Sequence, residues 1–178
     1  MVENLLPEPF KSKIDAERQK FKDTPFSVLV WGPGESRGKG YSKRKKIRDH
    51  LASKLGEENV IFSEDAALQE DVEQFGSLVA EYFQVKAACA VVTLDYSAIG
   101  VHTEISVYTN WLLGKSLVFV PLRYRGSEGF AGTVYDTLKV EWFNEEEFED
   151  CHYIRRTALR FVQGLKFSVV MAPNLQKI

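Results

Sequence analysis

Short segments made almost wholly of apolar residues alternate with segments of helical periodicity along this chain, and this alternation constrains the fold more than any other feature. The apolar runs are SVLVW at 27–31, NVIFS at 59–63, AACAVVTL at 87–94 and SLVFVPL at 116–122. Strands that are apolar at every position are typical of parallel sheets whose two faces are both covered by helices. The sequence therefore predicts a doubly wound α/β fold with a mainly parallel sheet of about five strands and helices on both faces.

Helical segments separate these strands. The pattern predicts a polar helix over 11–22, a helix that Ser42 caps and Gly56 ends, a long helix over 66–86, a helix from His102 to Leu113, and a final helix over 145–166. The segment VYDTLKVEWF at 134–143 has a mixed pattern. With no repeat and no linker, residues 1–178 are predicted to form a single domain, with 1–25 as a helical lead-in and 145–166 as a long C-terminal helix.

Charge and residue counts exclude several classes of protein. The formal net charge is −2, so bulk electrostatics do not favour a polynucleotide partner. The two cysteines are too few for a disulfide framework, and the three histidines show no metal-ligand spacing with them, so neither metal nor cofactor is expected. The chain contains no apolar run near the roughly 20 residues that span a bilayer. The N-terminus lacks the features of a signal peptide, so a cytoplasmic protein is expected.

The glycine-rich stretch WGPGESRGKGYSKRKK at 31–46 does not fit a phosphate-binding P-loop. Only three residues separate Gly34 from Gly38, and Gly40 stands where the P-loop requires a hydroxyl residue after its lysine. Two interpretations stay open: a backbone that approaches a ligand closely beside a helix N-terminus, or a flexible solvated loop. In the first, residues 35–46 are expected to close over the ligand. The basic run at 43–46 is predicted to be a solvated face, with contact to a small ligand's phosphate as the alternative.

The segment TLDYSAIGVHTEI at 93–105 carries the strongest indication of chemistry. A buried strand delivers Asp95, Tyr96 and Ser97 to the edge of the sheet where ligands bind. Gly100 permits a tight turn there, and Glu104 is predicted to fall in the first turn of the next helix, close to backbone donors. A carboxylate in that place suits the oxocarbenium-like centre that forms when an N-glycosidic bond breaks. The alternative is that it only complements the helix dipole, worth about 0.3–1 kcal/mol.

Three short motifs resemble the nucleoside 2-deoxyribosyltransferase family, and more closely its nucleotide N-hydrolase relatives. They are Gly32-Pro33 after the first strand, Ser97-x-x-Gly100-x-x-x-Glu104-Ile105 after the third, and Gly114-Lys115 before the fourth, within residues 26–122. The resemblance implies a flavodoxin-like fold. It also implies that the glutamate is the nucleophile on the anomeric carbon of the sugar. Gly32 and Pro33 would line the base or sugar site, with Ser97 and Gly100 near the 5′ phosphate, and the adjoining Gly34 is also expected to contact the substrate.

The same segment is similar to NAD-cleaving Toll/interleukin-1 receptor (TIR) domains, which also carry a catalytic glutamate at the start of a helix. Asp95-Tyr96-Ser97 followed by Glu104 is compatible with that pattern, although Val101-His102 stands where those domains have a tryptophan-cysteine pair. The transferases usually carry an aspartate six residues before the nucleophile, where this chain has Ala98. This difference favours hydrolysis over base exchange.

The resulting expectation is a hydrolase that cleaves the N-glycosidic bond of a nucleotide or NAD-like substrate, with Glu104 as nucleophile. Asp65 is expected to contact the ribose or the base; Glu64 is an equal candidate, and either residue alternatively caps the next helix. The resemblance also implies a homodimer or larger self-assembly, because small domains of this type often share a site across an interface. The competing hypothesis is a non-catalytic nucleotide-sensing or TIR-like interaction module.

Overall fold

The computed structural model describes residues 7–66, 69–76, 79–80, 88–93, 99–122, 125, 137–144 and 152–171. The helices are α1 (Glu8–Asp23), α2 (Lys39–Leu55), α3 (Ser63–Ala66), α4 (Gln69–Phe75), α5 (Ile99–Leu112) and α6 (His152–Met171). The strands are β1 (Ser27–Trp31), β2 (Val60–Phe62), β3 (Ala88–Thr93), β4 (Ser116–Pro121) and β5 (Lys139–Phe143). Within the described residues, none of these helices combines the length and apolar character needed to cross a bilayer.

The strands form one sheet in the order β2-β1-β3-β4-β5, and every neighbouring pair is parallel. This order is typical of the flavodoxin-like doubly wound fold, so the predicted fold class is confirmed. The chain runs from β1 to β2 in one direction and then passes back across β1 to β3. The order therefore reverses between β1 and β3.

One face of the sheet packs against α5. Because side chains alternate between the two faces of a strand, every second strand residue points towards this helix. The cluster joins Leu29, Trp31, Ala90, Val118 and Val120 of the strands to Val101, Ile105, Tyr108 and Leu112 of α5. The other strand residues belong to the opposite face.

That opposite face packs against α2 and α6. Arg44 of α2 lies with its guanidinium carbon 4.5 Å from the ring centroid of Phe62, and Tyr153 of α6 lies 5.5 Å from Phe143, centroid to centroid. Both helices bury apolar residues there, namely Ile47 and Leu51 of α2 and Ile154, Ala158 and Val162 of α6. Helices therefore cover both faces, as the apolar strands predict.

Glycines set both limits of α2, of which the sequence pattern predicted one correctly. α2 begins at Lys39, directly after Gly38, whose φ of 54° and ψ of −106° define a conformation that other residues rarely adopt. The Ser42 N–H donates to the Gly38 carbonyl at 3.0 Å, so Ser42 lies inside the helix and its prediction as the cap is wrong. At the other end, Gly56 has φ 98° and ends α2 as predicted.

The helix predicted over 66–86 is interrupted. α4 ends at Phe75, and Gly76, with φ 85°, donates its N–H to the Val72 carbonyl at 2.9 Å. Residues 67–68, 77–78 and 81–87 lie outside the described part of the chain. α6 is described from His152 and continues to Met171, beyond the predicted end at Lys166. The fifth strand lies within the segment of mixed pattern at 134–143.

The chain divides into two compact units, Met1–Phe26 with Gln163–Ile178, and Ser27–Val162. The second unit holds the sheet. In the first unit, α1 buries none of its residues, and Lys166 donates to the Lys22 carbonyl at 3.3 Å. An open apolar groove of about 600 Å³ in this unit is lined mainly by Phe10, Ile14, Phe21, Phe167, Val170 and Met171. The single domain over 1–178 stays a prediction.

Candidate functional site

The carboxyl ends of the parallel strands meet at one edge of the sheet, and the order of strands reverses between β1 and β3. The connection after β1 leads to α2 on one face, whereas the connection after β3 leads to α5 on the other face. In sheets of this kind, ligands usually bind at the carboxyl edge where the order of strands reverses. We call this place the β1/β3 crevice, bounded by the loop Gly32–Gly38 and the start of α5 at Ile99.

The loop after β1 supplies three of the predicted substrate-binding residues. Gly32 is half-buried, Pro33 is buried and Gly34 is exposed. A single 3-10 turn, Glu35–Arg37, follows them, with the Arg37 N–H donating to the Gly34 carbonyl at 2.9 Å. The three residues thus directly follow the carboxyl end of β1, beside the β1/β3 crevice.

The loop is shorter than the sequence pattern indicated. Residues 39–46, expected to close over a ligand, form the first half of α2 instead. They are held there by buried residues of the same helix, so the interpretation of this part as a flexible loop is wrong, and closure of 35–46 over a ligand stays a prediction. Only Gly32–Gly38 remains as loop.

The start of α5 also differs from its prediction. The helix begins at Ile99, so Gly100 lies in its first turn and not in a tight turn before it. Glu104 consequently lies in the second turn. The unpaired N–H donors of a helix belong to its first four residues, so the predicted placement of Glu104 in the first turn is wrong, whereas its proximity to such donors stays a prediction. The side chain of Glu104 lies outside the described part of the structure; its neighbour Ile105 is fully buried.

Residues 94–98, which include the predicted site residues Asp95, Tyr96 and Ser97, lie outside the described part of the chain. Their roles stay predictions. For the described candidate residues, the strand order shows which elements carry them but not whether their side chains meet. Gly32–Gly34 stand after β1, and Gly100 and Glu104 stand in α5, on either side of the β1/β3 crevice.

The two acidic residues after β2, Glu64 and Asp65, differ in their contacts. Both residues lie in the short helix α3, and both are exposed. The carboxylate of Glu64 forms an ion pair with Arg44, with Nη1 donating to Oε1 at 2.7 Å and Nη2 donating to Oε2. Glu64 is thus engaged by the protein. Asp65 stays the candidate of the two for contact with a ligand.

Arg44 is the main residue of this region that the sequence pattern did not single out. Its side chain is 1% exposed, and it donates to the carbonyl oxygens of Val30 and Gly32. The prediction of a solvated basic face holds for Lys45 and Lys46, which are exposed, and is wrong for Lys43 and Arg44. The helical spacing could have predicted this burial, because positions 43 and 44 lie one turn before the buried Ile47.

Two reactive-looking side chains near the sheet are unavailable for chemistry. Trp31 is 2% exposed and packs in the core with its ring centroid 6.3 Å from that of Tyr108. Cys89 is buried in β3, and burial raises the pKa of its thiol to about 12. The thiol is therefore protonated near neutral pH and is not a nucleophile.

Among the ionisable groups of the described residues, His50 has a shifted pKa. The pKa of His50 is lowered, first by burial and then by the charges of Arg155, Lys54 and His152. The Nε2 atom of His50 is buried without a hydrogen-bond partner. In the part of the chain that the structure describes, His, Cys, Asp and Glu do not gather in groups of three that would hold a metal ion.

No family model, curated protein or solved structure matches the chain. The resemblance to the deoxyribosyltransferase and TIR families therefore still depends on the motifs alone. The fold and the place of the crevice stand independently of it.

Proposed function

We propose that the protein hydrolyses the N-glycosidic bond of a nucleotide or NAD-like substrate in the β1/β3 crevice, with Glu104 as the nucleophile. The reversal of strand order between β1 and β3 carries this proposal. It supports a shared site for the motif residues, because Gly32–Gly34 follow β1 and the start of α5 follows β3. Glu104 lies five positions after Ile99, about 7.5 Å along the helix axis, so its backbone stays near the carboxyl edge of the sheet.

The proposed reaction has two steps. The Glu104 carboxylate attacks C1′ of the sugar while the bond to the base breaks, the base leaves with the bonding electron pair, and a glycosyl ester forms on the enzyme. Water then cleaves the ester, releases the sugar and restores the carboxylate; the base takes up a proton from water. One carboxylate therefore serves as nucleophile and leaving group in turn.

The neighbouring residues have supporting roles in this proposal. The glycines of the loop allow the backbone to approach the sugar and base closely, since they present no side chain. Ser97 and Gly100 are proposed to meet the 5′ phosphate, which the N-terminus of α5 favours electrostatically. Asp65, Asp95 and Tyr96 are proposed to contact the ribose or the base.

Base release from a panel of nucleotides and NAD, followed by chromatography, tests the proposal. We expect wild type to release a free base from at least one substrate and Glu104→Gln to release none, while its circular dichroism spectrum and its ligand affinity stay unchanged. Glu58→Gln is the matched control, because Glu58 is an exposed carboxylate on the 3-10 turn before β2. It should keep the wild-type rate.

Two results would overturn the enzymatic proposal: wild type releases no base from any substrate, or Glu104→Gln stays active. Nucleotide binding without base release would instead favour a non-catalytic nucleotide-sensing or TIR-like module.

A further inference from the structure

We infer that Arg44 and Glu64 are a positioning pair that fixes the loop Gly32–Gly38 at the mouth of the β1/β3 crevice. Arg44 comes from α2 and Glu64 from α3, and the loop connects the end of β1 to α2. The effect of the pair on the loop is independent of the reaction. Its effect on a substrate rests on the proposed function.

Arg44 contacts two backbone carbonyls at the end of β1, those of Val30 and Gly32. Nε and Nη2 donate to the Val30 carbonyl at 3.0 and 2.7 Å, and Nη1 donates to the Gly32 carbonyl at 3.4 Å. These carbonyls lie on either side of Trp31, the last residue of the strand. Holding both fixes the direction in which the backbone enters the loop.

Arginine is suited to this task because its guanidinium is a rigid fork with several donors in one plane. The ring of Phe62 supports that plane, 4.5 Å from the guanidinium carbon. The carboxylate of Glu64 engages both terminal nitrogens and sets the rotation of the fork. Without it, the longest contact, 3.4 Å to the Gly32 carbonyl, is the first that we expect to loosen.

Glu64 is the member of the pair that can be changed with little damage to the core. Its side chain is 50% exposed, whereas that of Arg44 is 1% exposed. Replacing Glu64 by glutamine therefore removes the charge without opening a cavity. The expected effect is confined to the loop, because the apolar packing of α2 through Ile47 and Leu51 does not involve Glu64.

Amide hydrogen exchange of Glu64→Gln is the direct test. We expect exchange in peptides covering 32–42 to become roughly tenfold faster, as for the loss of one charge-assisted contact. The protected amides there include those of Arg37, Gly38 and Ser42. Asp49→Asn is the matched control, because Asp49 is 47% exposed and pairs with Lys45 and Arg48 on the same helix. Exchange of the loop should stay at the wild-type rate in this variant.

Base-release kinetics supply the second measurement. The loop holds the substrate but performs no chemical step, so Glu64→Gln should raise KM roughly tenfold and change kcat by less than about twofold. A general structural defect would instead lower the amount of active enzyme and leave KM unchanged.

The outcomes separate the two proposals. Unchanged exchange of the loop in Glu64→Gln would overturn the positioning pair, and so would faster exchange spread over the whole of Ser27–Val162 with a lowered Tm. If wild type releases no base while the loop of Glu64→Gln still exchanges selectively faster, the positioning pair stands and the proposed function fails.

Discussion

Burial determines which individual side chains are available for chemistry in this chain. Cys89, at 4% exposure, is a structural thiol of β3, as the apolar run around it suggests. Arg44 is buried as completely as the core residues beside it and acts on the backbone. The type of a residue therefore says little about its role in this chain, and its burial on a helix or strand face determines whether it is available for chemistry.

The buried thiol predicts a loss of stability at alkaline pH. The folded thiol loses its proton only near pH 12, whereas the unfolded chain does so near the ordinary value of 9.0. Above pH 9 the unfolded state therefore binds fewer protons, and the free energy of unfolding falls as the pH rises. Between pH 9 and 10 we expect wild type to lose about 1 kcal/mol more than Cys89→Ala, measured by urea denaturation. Equal losses in the two proteins would contradict this.

Helix α5 illustrates how one element separates its core from its surface. Ile105 is fully buried in the cluster against the sheet, whereas Val107, two residues later, is 50% exposed. Ile105→Ala should lower the free energy of unfolding by about 2–5 kcal/mol through lost burial and a cavity. Val107→Ala, the matched control on the same helix, should change it by less than about 0.5 kcal/mol. Comparable losses for both variants in denaturant titrations would show that α5 is docked differently.

The elements themselves were largely predictable from sequence, but their limits were not. Uninterrupted apolar runs identify strands because a strand buried on both faces leaves no place for polar residues. The predicted start of α2 was wrong because Ser42 has a side chain typical of a helix cap, whereas the chain turns into the helix at the backbone of Gly38. The break at Gly76 was missed for a similar reason, since a helical apolar pattern continues on both sides of it.

At the scale of the whole molecule, the two compact units differ in how much they bury. α1 buries none of its residues, whereas four of the five residues of β1 and all six of β4 are buried. Helices of this length are marginal without packing. We therefore expect the amides of α1 to exchange through local opening, and those of β1 and β4 only through global unfolding. Hydrogen exchange by mass spectrometry over one peptide map measures both; equal protection of α1 and β4 would contradict the expectation.

The location proposed for the candidate site rests on topology, and the parallel sheet was predictable from the sequence. A parallel sheet brings the loops after β1 and β3 to one edge, whatever their composition. Which side chains meet there was not accessible, because contacts such as that of Arg44 with Glu64 join helices through the geometry of packing. The sequence offered Glu64 and Asp65 as equals, and only the position of Arg44 distinguishes them.

The burial of Arg44 also bears on how α2 finds its place. A guanidinium removed from water without its acceptors is strongly unfavourable. Its acceptors come from the end of β1 and from the residues after β2, at separations of 12 to 20 positions along the chain. A helix docked one turn out of register, about 5.4 Å along its axis, would turn the same stripe towards the sheet, yet it would bury the charge and miss these partners. Such an arrangement would still satisfy most of the apolar contacts, so the arginine penalises near misses that hydrophobic packing alone would tolerate.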